Sequence, residues 1–194
     1  VRFYELLGFI PKTISNFTKN VEMIFNKKRD LLIVVGGGSL PPQLYDRPHE
    51  DELQPNRDRM EEQVIHYCVA HGIPIIATCR GMQYINVMFG GKLWYHPKLP
   101  VNRTRGVDHQ VWLVKEQRNI WVNNYHSDCI YEEGLASCFE PLAIDRENHV
   151  VEAYGSDEMK ILALQWHPER RFETANAYEE TRKIILDFIQ KYVK

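Results

Sequence analysis

No stretch of this sequence is apolar for the roughly 20 residues that a membrane-crossing helix needs, which excludes a helical span. Charge of one sign is not in excess either. The 24 Lys and Arg nearly balance the 26 Asp and Glu, for a net charge of −2. Without a basic field nucleic acid is not an expected partner, and without an acidic tail neither is a solvating segment. Cysteine is sparse. Cys68, Cys79, Cys129 and Cys138 lack C-x-x-C spacing and are too few for a disulfide scaffold, so free thiols in a reducing cytoplasm are expected. No repeat, low-complexity tract or linker divides the chain, so one domain is expected over residues 1–194. The opening "VRFYELLGFIPK" has no secretory-leader pattern and no initiator Met. It reads as the end of a helix, so a leading strand is expected to precede the numbering.

What is there alternates between strand and helix patterns. Residues 2–8 read as a helix end stopped by Gly8, and "FIPKTIS" as a short strand demoted by Pro11 towards an edge. "LLIVV" (31–35) is a buried strand ending in three glycines. Residues 57–71 carry Met60, Val64, Tyr67, Cys68 and His71 at helical spacing, with Gly72 as stop. "IPIIAT" (73–78) is the next strand and 81–89 the next helix. Residues 92–154 look antiparallel, with "GVDHQVWLV" and "WVNNYHS" as candidates. "ILALQWH" (161–167) is another strand, and 176–193 a helix facing inward through Ile184, Ile185, Phe188, Ile189 and Tyr192. The pattern predicts an α/β fold with a mainly parallel central sheet flanked by helices, and an antiparallel extension.

Three segments carry chemistry. In "PIIATCRGMQYINVMFGG" a strand stops at Cys79, Gly81 clears the turn, and a helix begins. A nucleophile on such a strand-to-helix turn stands proud of the sheet, and helix amides aimed at the sulfur favour a thiolate. The competing role for Cys79 is a buried structural thiol. In "LALQWHPER", His167 and Glu169 lie two apart, which puts both on one face of a strand. A carboxylate there can orient the imidazole, leaving its other nitrogen to take the thiol proton; a surface His beside a surface Glu is the plainer alternative. In "VVGGGSLPPQLY" the backbone is bare enough to donate N–H groups to an oxyanion. The amide of Gly37 or Gly38 with that of Arg80 is the candidate pair. A phosphate cradle is less apt, because neither G-x-G-x-x-G nor a Walker lysine is present.

Together these segments resemble the class I glutamine amidotransferase-like superfamily, in particular its γ-glutamyl-γ-aminobutyrate hydrolase-like branch. The matching residues are Gly36–Tyr45 (with Pro42 and Tyr45), Arg57, Asp58 and Glu61 of an R-D-x-x-E pattern, Cys79–Leu93, part of Val122–Asp128, and Trp166–Glu169. The resemblance spans nearly the whole chain in order, and implies flavodoxin-like layering. It implies a triad of Cys79 as nucleophile, His167 as proton shuttle and Glu169 as orienter, working through a γ-glutamyl thioester. It also implies that Gln83 and the 123–126 segment, with Asn124, Tyr125 and His126, hold the glutamyl head group. No metal or organic cofactor is implied, and the partner is a small γ-glutamyl substrate. Ser39, Asn124 and Asp128 depart from the branch's Asp, Ser and Gln. The last two lie near the expected cleft, so the group beyond the γ-amide can differ from γ-aminobutyrate.

Among other polar residues, Arg80 could line the pocket or form an exposed salt bridge. His109 reads as a strand histidine, Arg103 and Arg105 as a solvated loop. Cys68, Cys129 and Cys138 read as small hydrophobes, and Trp94, Trp112 and Trp121 as packing. Three functions remain. The first is a stand-alone γ-glutamyl amide hydrolase, releasing glutamate with an amine or an N-phosphoryl product such as that of capsule phosphoramidate synthesis. The second is a glutaminase subunit passing ammonia to a separate synthetase. The third is a non-catalytic binding protein on the same fold.

Overall fold

Three of the apolar runs become neighbouring parallel strands. A computed structural model describes residues 2–25, 29–45, 53–95 and 105–193. In chain order the elements are α1 (Arg2–Leu6), β1 (Leu32–Val34), α2 (Pro55–His71), β2 (Ile75–Thr78), α3 (Arg80–Met88) and β3 (Trp94–Tyr95). They continue through β4 (His109–Leu113), β5 (Arg118–Val122), β6 (Asp128–Cys129), β7 (Glu140–Asp145), β8 (Val150–Ser156), β9 (Ile161–Leu164) and α4 (Ala177–Tyr192). The seven-stranded sheet runs β1-β2-β9-β8-β7-β4-β5. β1, β2 and β9 form the parallel core; β8, β7, β4 and β5 extend it antiparallel. A two-stranded antiparallel ribbon pairs β3 with β6.

Strand alternation divides the core into two layers. Ile75, Ala77, Ile161 and Ala163 pack on one face with Met60, Val64 and Cys68 of α2 and Met82 and Ile85 of α3. Ile76, Leu162 and Leu164 face the other way, with Phe3 and Tyr4 of α1 and Ile185 of α4. α2 starts with Pro55 at its first turn, where the missing N–H costs nothing, and stops at Gly72 in the left-handed conformation (φ 65°).

Several expectations need correction. "FIPKTIS" is not a strand: Ile10 is 88% exposed, and Pro11 cannot donate to a ladder. His71 is exposed and not core; it stacks on Tyr67, 4.0 Å between ring centroids. Tyr192 is only half-buried and donates its hydroxyl to Asp157 at 2.6 Å. Cys138 and Trp121 are exposed. β5 ends at Val122 and β9 at Leu164, so "NNYHS" and "QWHPER" leave the sheet as loops. Arg103 lies outside the described residues. Among those described, no helix is long and apolar enough to cross a membrane.

Candidate active site

The loops leaving β1, β2 and β9 meet at the carboxyl ends of the parallel strands, the edge where open α/β sheets form their ligand crevices. The loop after β2 is the sharpest. Cys79 has φ 52° and ψ −110°, a conformation that costs a side-chain-bearing residue about 1–3 kcal/mol and persists only where its surroundings enforce it. They do. Its N–H donates to the Leu164 carbonyl at 2.8 Å, and its own carbonyl accepts the first bond of α3 from Gln83 at 3.0 Å. Gly81 is indispensable for a reason the sequence did not reveal. A Cβ there would stand 2.5 Å from the Val34 carbonyl oxygen, so the bare position lets α3 press against β1.

Cys79 is 8% exposed, and burial pushes its thiol up to about 12; the Arg80 backbone amide and Arg170 oppose this, while Glu169 and Asp128 add to it. The helix-start amide favours the anion, as the sequence leads one to expect, while desolvation by burial works against it and is the larger effect.

His167 faces the same spot. A Cβ placed on Gly36 would lie 2.8 Å from His167 Cε1 and 3.6 Å from Cys79 Cβ. The two residues therefore flank one bare backbone position. His167 Nδ1 lies 2.7 Å from Glu169 Oε1. This contact forms in a turn closed by Arg170 N–H donating to the His167 carbonyl at 3.1 Å, not by alternation along a strand. Burial would raise the Glu169 carboxyl, but the hydrogen bond and charge of His167 hold it below its ordinary value. With Nδ1 committed to the carboxylate, Nε2 is left to exchange a proton.

The glycine loop is accessible, with Gly37 exposed and Gly36 and Gly38 half-buried. A lattice of charge lies behind it. Arg57 Nη2 donates to the carbonyls of Val35 (2.6 Å) and Gly36 (3.1 Å), and its Nε to Glu61 Oε1 (2.6 Å). The other Glu61 oxygen accepts from Arg80 Nη1 at 2.5 Å, and Asp58 pairs with Arg80 Nη2. The Arg80 side chain is 1% exposed. It neither lines a pocket nor forms a surface pair; it is a buried anchor for the turn.

The predicted head-group residues are placed unequally. Gln83 is buried and donates to the Asp128 carbonyl (3.0 Å) and to Gln165 Oε1 (3.2 Å). Asn124 is buried, and its Oδ1 has no hydrogen-bond partner among the described residues. Tyr125 stands edge-on to His167, centroids 5.7 Å apart, with the Arg170 guanidinium 4.4 Å from its ring. His126 turns inward instead. Its Nδ1 meets the Asp128 carbonyl at 3.0 Å, and its Nε2 lies 3.7 Å from the fully buried Glu152. His109 on β4 approaches the same carboxylate at 3.5 Å. Arg105 is exposed. Asp128 accepts from the Tyr45 hydroxyl at 3.0 Å, joining the segment after the glycines to the opposite wall. Asn123, read only as part of the substrate segment, holds His167: its side chain bonds both the N–H and the C=O of that residue. Nothing local marks such a contact across 44 residues. Among the described residues, no group of three or more His, Cys, Asp or Glu is placed to hold a metal ion.

The sheet topology and a family match over residues 10–169 together make this a class I glutamine amidotransferase-like protein. The family is Peptidase C26, and the chain belongs to it as a glutamine amidotransferase-like hydrolase. The chain is 30% identical over 164 residues to the glutamine amidotransferase-like protein YvdE of Lactococcus lactis, covering 75% of this chain and 68% of that one. It is 26% identical over 175 residues to the γ-glutamyl-γ-aminobutyrate hydrolase PuuD of Escherichia coli, covering 77% and 67%. In fold it is similar to a GMP synthase subunit of Thermoplasma acidophilum, with a TM-score of 0.68 at 21% identity over 98% of this chain and 86% of the other.

Proposed function

We propose that the protein hydrolyses the γ-amide bond of a γ-glutamyl compound through a thioester on Cys79. The observation that carries this is the meeting of Cys79 and His167 around Gly36, with Glu169 2.7 Å behind the imidazole. As the sulfur attacks the γ-carbonyl carbon, its proton passes to His167 Nε2. The carbonyl oxygen becomes an oxyanion facing the amides of Arg80 and of Gly37 or Gly38. Collapse breaks the C–N bond, His167 returns the proton to the leaving nitrogen, and the γ-glutamyl thioester remains. Water then attacks that thioester, giving up a proton to His167. The second oxyanion expels the sulfur, which recovers the proton, and glutamate leaves.

A neutral resting thiol suits this sequence, because the proton moves only when substrate is in place. Asn124 Oδ1 supplies an open acceptor for the α-ammonium group, and Tyr125 with Arg170 forms the wall beside His167. The similarity to PuuD, a γ-glutamyl-γ-aminobutyrate hydrolase, supports the substrate class; Asp128 is where the leaving group would be selected.

The test is glutamate release from a panel of γ-glutamyl amines, γ-glutamyl amino acids, an N-phosphoryl γ-glutamyl amide and free glutamine. Wild type should cleave at least one substituted amide faster than glutamine, and Cys79→Ala should cleave none. Turnover of glutamine alone would favour an ammonia-delivering subunit; no release from any compound would refute the proposal.

A further inference from the structure

The R-D-x-x-E pattern on α2 takes no part in the reaction as written, yet all three nitrogens of Arg57 are committed: Nη2 to the Val35 and Gly36 carbonyls, Nε to Glu61, Nη1 to Gln54 Oε1 at 3.0 Å. We propose that Arg57 is a positioning residue that clamps the Gly36–Gly37 peptide plane with its N–H turned towards the reacting carbonyl. This inference rests on the hydrolase reading above.

Peptide geometry dictates the direction. In a trans peptide the carbonyl and the following N–H point in opposite directions, and no cis bond occurs among the described residues. A guanidinium that draws the Val35 and Gly36 carbonyls towards α2 therefore turns the N–H groups of Gly36 and Gly37 away from it. The Gly37 N–H is a candidate oxyanion donor. Rotating the Gly36–Gly37 plane by half a turn would aim that N–H at the guanidinium, donor against donor, and present a carbonyl oxygen to the developing oxyanion. Two adjacent glycines offer little intrinsic resistance to that rotation, so the clamp must come from outside the loop. It fits closely: a Cβ on Gly37 would lie 2.0 Å from Arg57 Nη1.

The second oxyanion donor is tied to the same anchor. Glu61 takes Arg57 on one oxygen and Arg80 on the other, and Asp58 completes the hold on Arg80. One helical turn of α2 thus fixes the spacing between the glycine loop and the amide that follows the nucleophile. A planar fork with several donors can set two carbonyls at once; a lysine, with a single ammonium, cannot reproduce that.

The experiment uses the full chain and the panel compound that wild type cleaves fastest. Arg57→Met should lower kcat by about 10²–10³, the usual loss for one oxyanion donor, and change KM by less than about threefold. Alkylation of Cys79 by iodoacetamide forms no oxyanion, so its rate should stay within about threefold of wild type. Added guanidinium should restore part of kcat. Hydrogen exchange in the 34–40 segment, which needs no turnover, should quicken at least about tenfold as the clamp is lost. If Arg57→Met does not fold, Glu61→Gln keeps the guanidinium but loosens its anchor, and kcat should fall about tenfold. The clamp is overturned if kcat stays within about threefold of wild type, if KM carries the loss, if alkylation falls in step with kcat, or if exchange is unchanged. A wild-type protein that cleaves nothing on the panel refutes the hydrolase reading, and the clamp's catalytic purpose with it. Cleavage by wild type and Arg57→Met alike refutes the clamp alone.

Discussion

Asn123 and His167 exchange two hydrogen bonds, each 2.9 Å: the Asn123 Nδ2 donates to the His167 carbonyl, and the His167 N–H donates to Asn123 Oδ1. A side-chain amide thus takes the place of a neighbouring strand where β9 has already ended, and the imidazole inherits the rigidity of the sheet.

Asn123→Ala should leave the buried His167 N–H unpaired and its carbonyl with the Arg170 N–H alone. At about 1–3 kcal/mol for an unsatisfied group, thermal unfolding should begin several degrees lower. Turnover should fall more than tenfold where the variant is still folded, since a displaced imidazole loses the orientation on which proton transfer depends. Calorimetry and kcat on the same preparation check this; a drop in melting temperature with unchanged kcat would show that the pair serves stability alone.

β2 and β9 were plain in the sequence because a strand buried on both faces reads as an unbroken apolar run, as in "IPIIAT" and "ILAL". "LLIVV" is a strand but not a buried one throughout, since β1 lies at the sheet edge with Ile33 half-buried and Val35 exposed. The ends of β5 and β9 were less plain. Past Leu164 the Gln165 N–H still bonds the Glu152 carbonyl of β8, but the backbone of His167 goes to the Asn123 side chain and to a turn, which a period-two pattern cannot distinguish from more strand. His167 and Glu169 were paired from strand geometry and meet through a turn instead; their separation of two residues permits either. Arg57 and Glu61 form a legible one-turn pair, but their reach to Val35, Gly36 and Arg80 depends on how α2 docks, which no local signal encodes. The burial that raises the Cys79 thiol is hidden from the sequence for a related reason. A helix start can be read locally, whereas depth of burial is a property of the whole fold.

Alkylation of Cys79 by iodoacetamide should accelerate about tenfold per pH unit from 6 to 9 with no plateau, because a thiol pushed up to about 12 remains protonated across that range. Asp128→Asn should speed the reaction at fixed pH and Arg170→Gln should slow it, since the carboxylate raises the thiol and the guanidinium lowers it. A plateau near pH 6 would mean a preformed thiolate and a different order of proton transfer.

Glycine in place of Cys79 should be more stable than alanine. Both remove the sulfur, but only glycine adopts φ 52°, ψ −110° without steric opposition, so a gap of about 1 kcal/mol is expected. Equal urea midpoints for Cys79→Gly and Cys79→Ala would show that the turn carries no strain.

Gly36→Ala should fold and lose most activity, because the added methyl meets His167 Cε1 at 2.8 Å and must displace the imidazole or the loop. A crystal structure of the variant should show His167 shifted from Glu169; full activity would mean that the ring position is not critical.

Glu169 gives the protein an acid-sensitive contribution. Its carboxyl is held below the ordinary value of 4.5 by His167 despite burial, so the folded state favours the ionised form more than the unfolded state does. That stability is present in full above the unfolded value and lost as pH falls through the folded one. Wild type should therefore exceed Glu169→Gln in urea midpoint at pH 7, and the gap should shrink steadily below pH 4.5. A gap that widened on acidification would reverse the sign of this linkage.

Cys79, His167 and the glycine loop follow three adjacent parallel strands, whereas Asn124, Tyr125 and Asp128 come from the loop between β5 and β6 and its junction with β6. The two parts are tied at one point, because Asn123 at the head of that loop holds His167. Under the proposed hydrolase reading, descendants of this chain could trade one leaving group for another by rewriting codons in that loop only so long as Asn123 is spared.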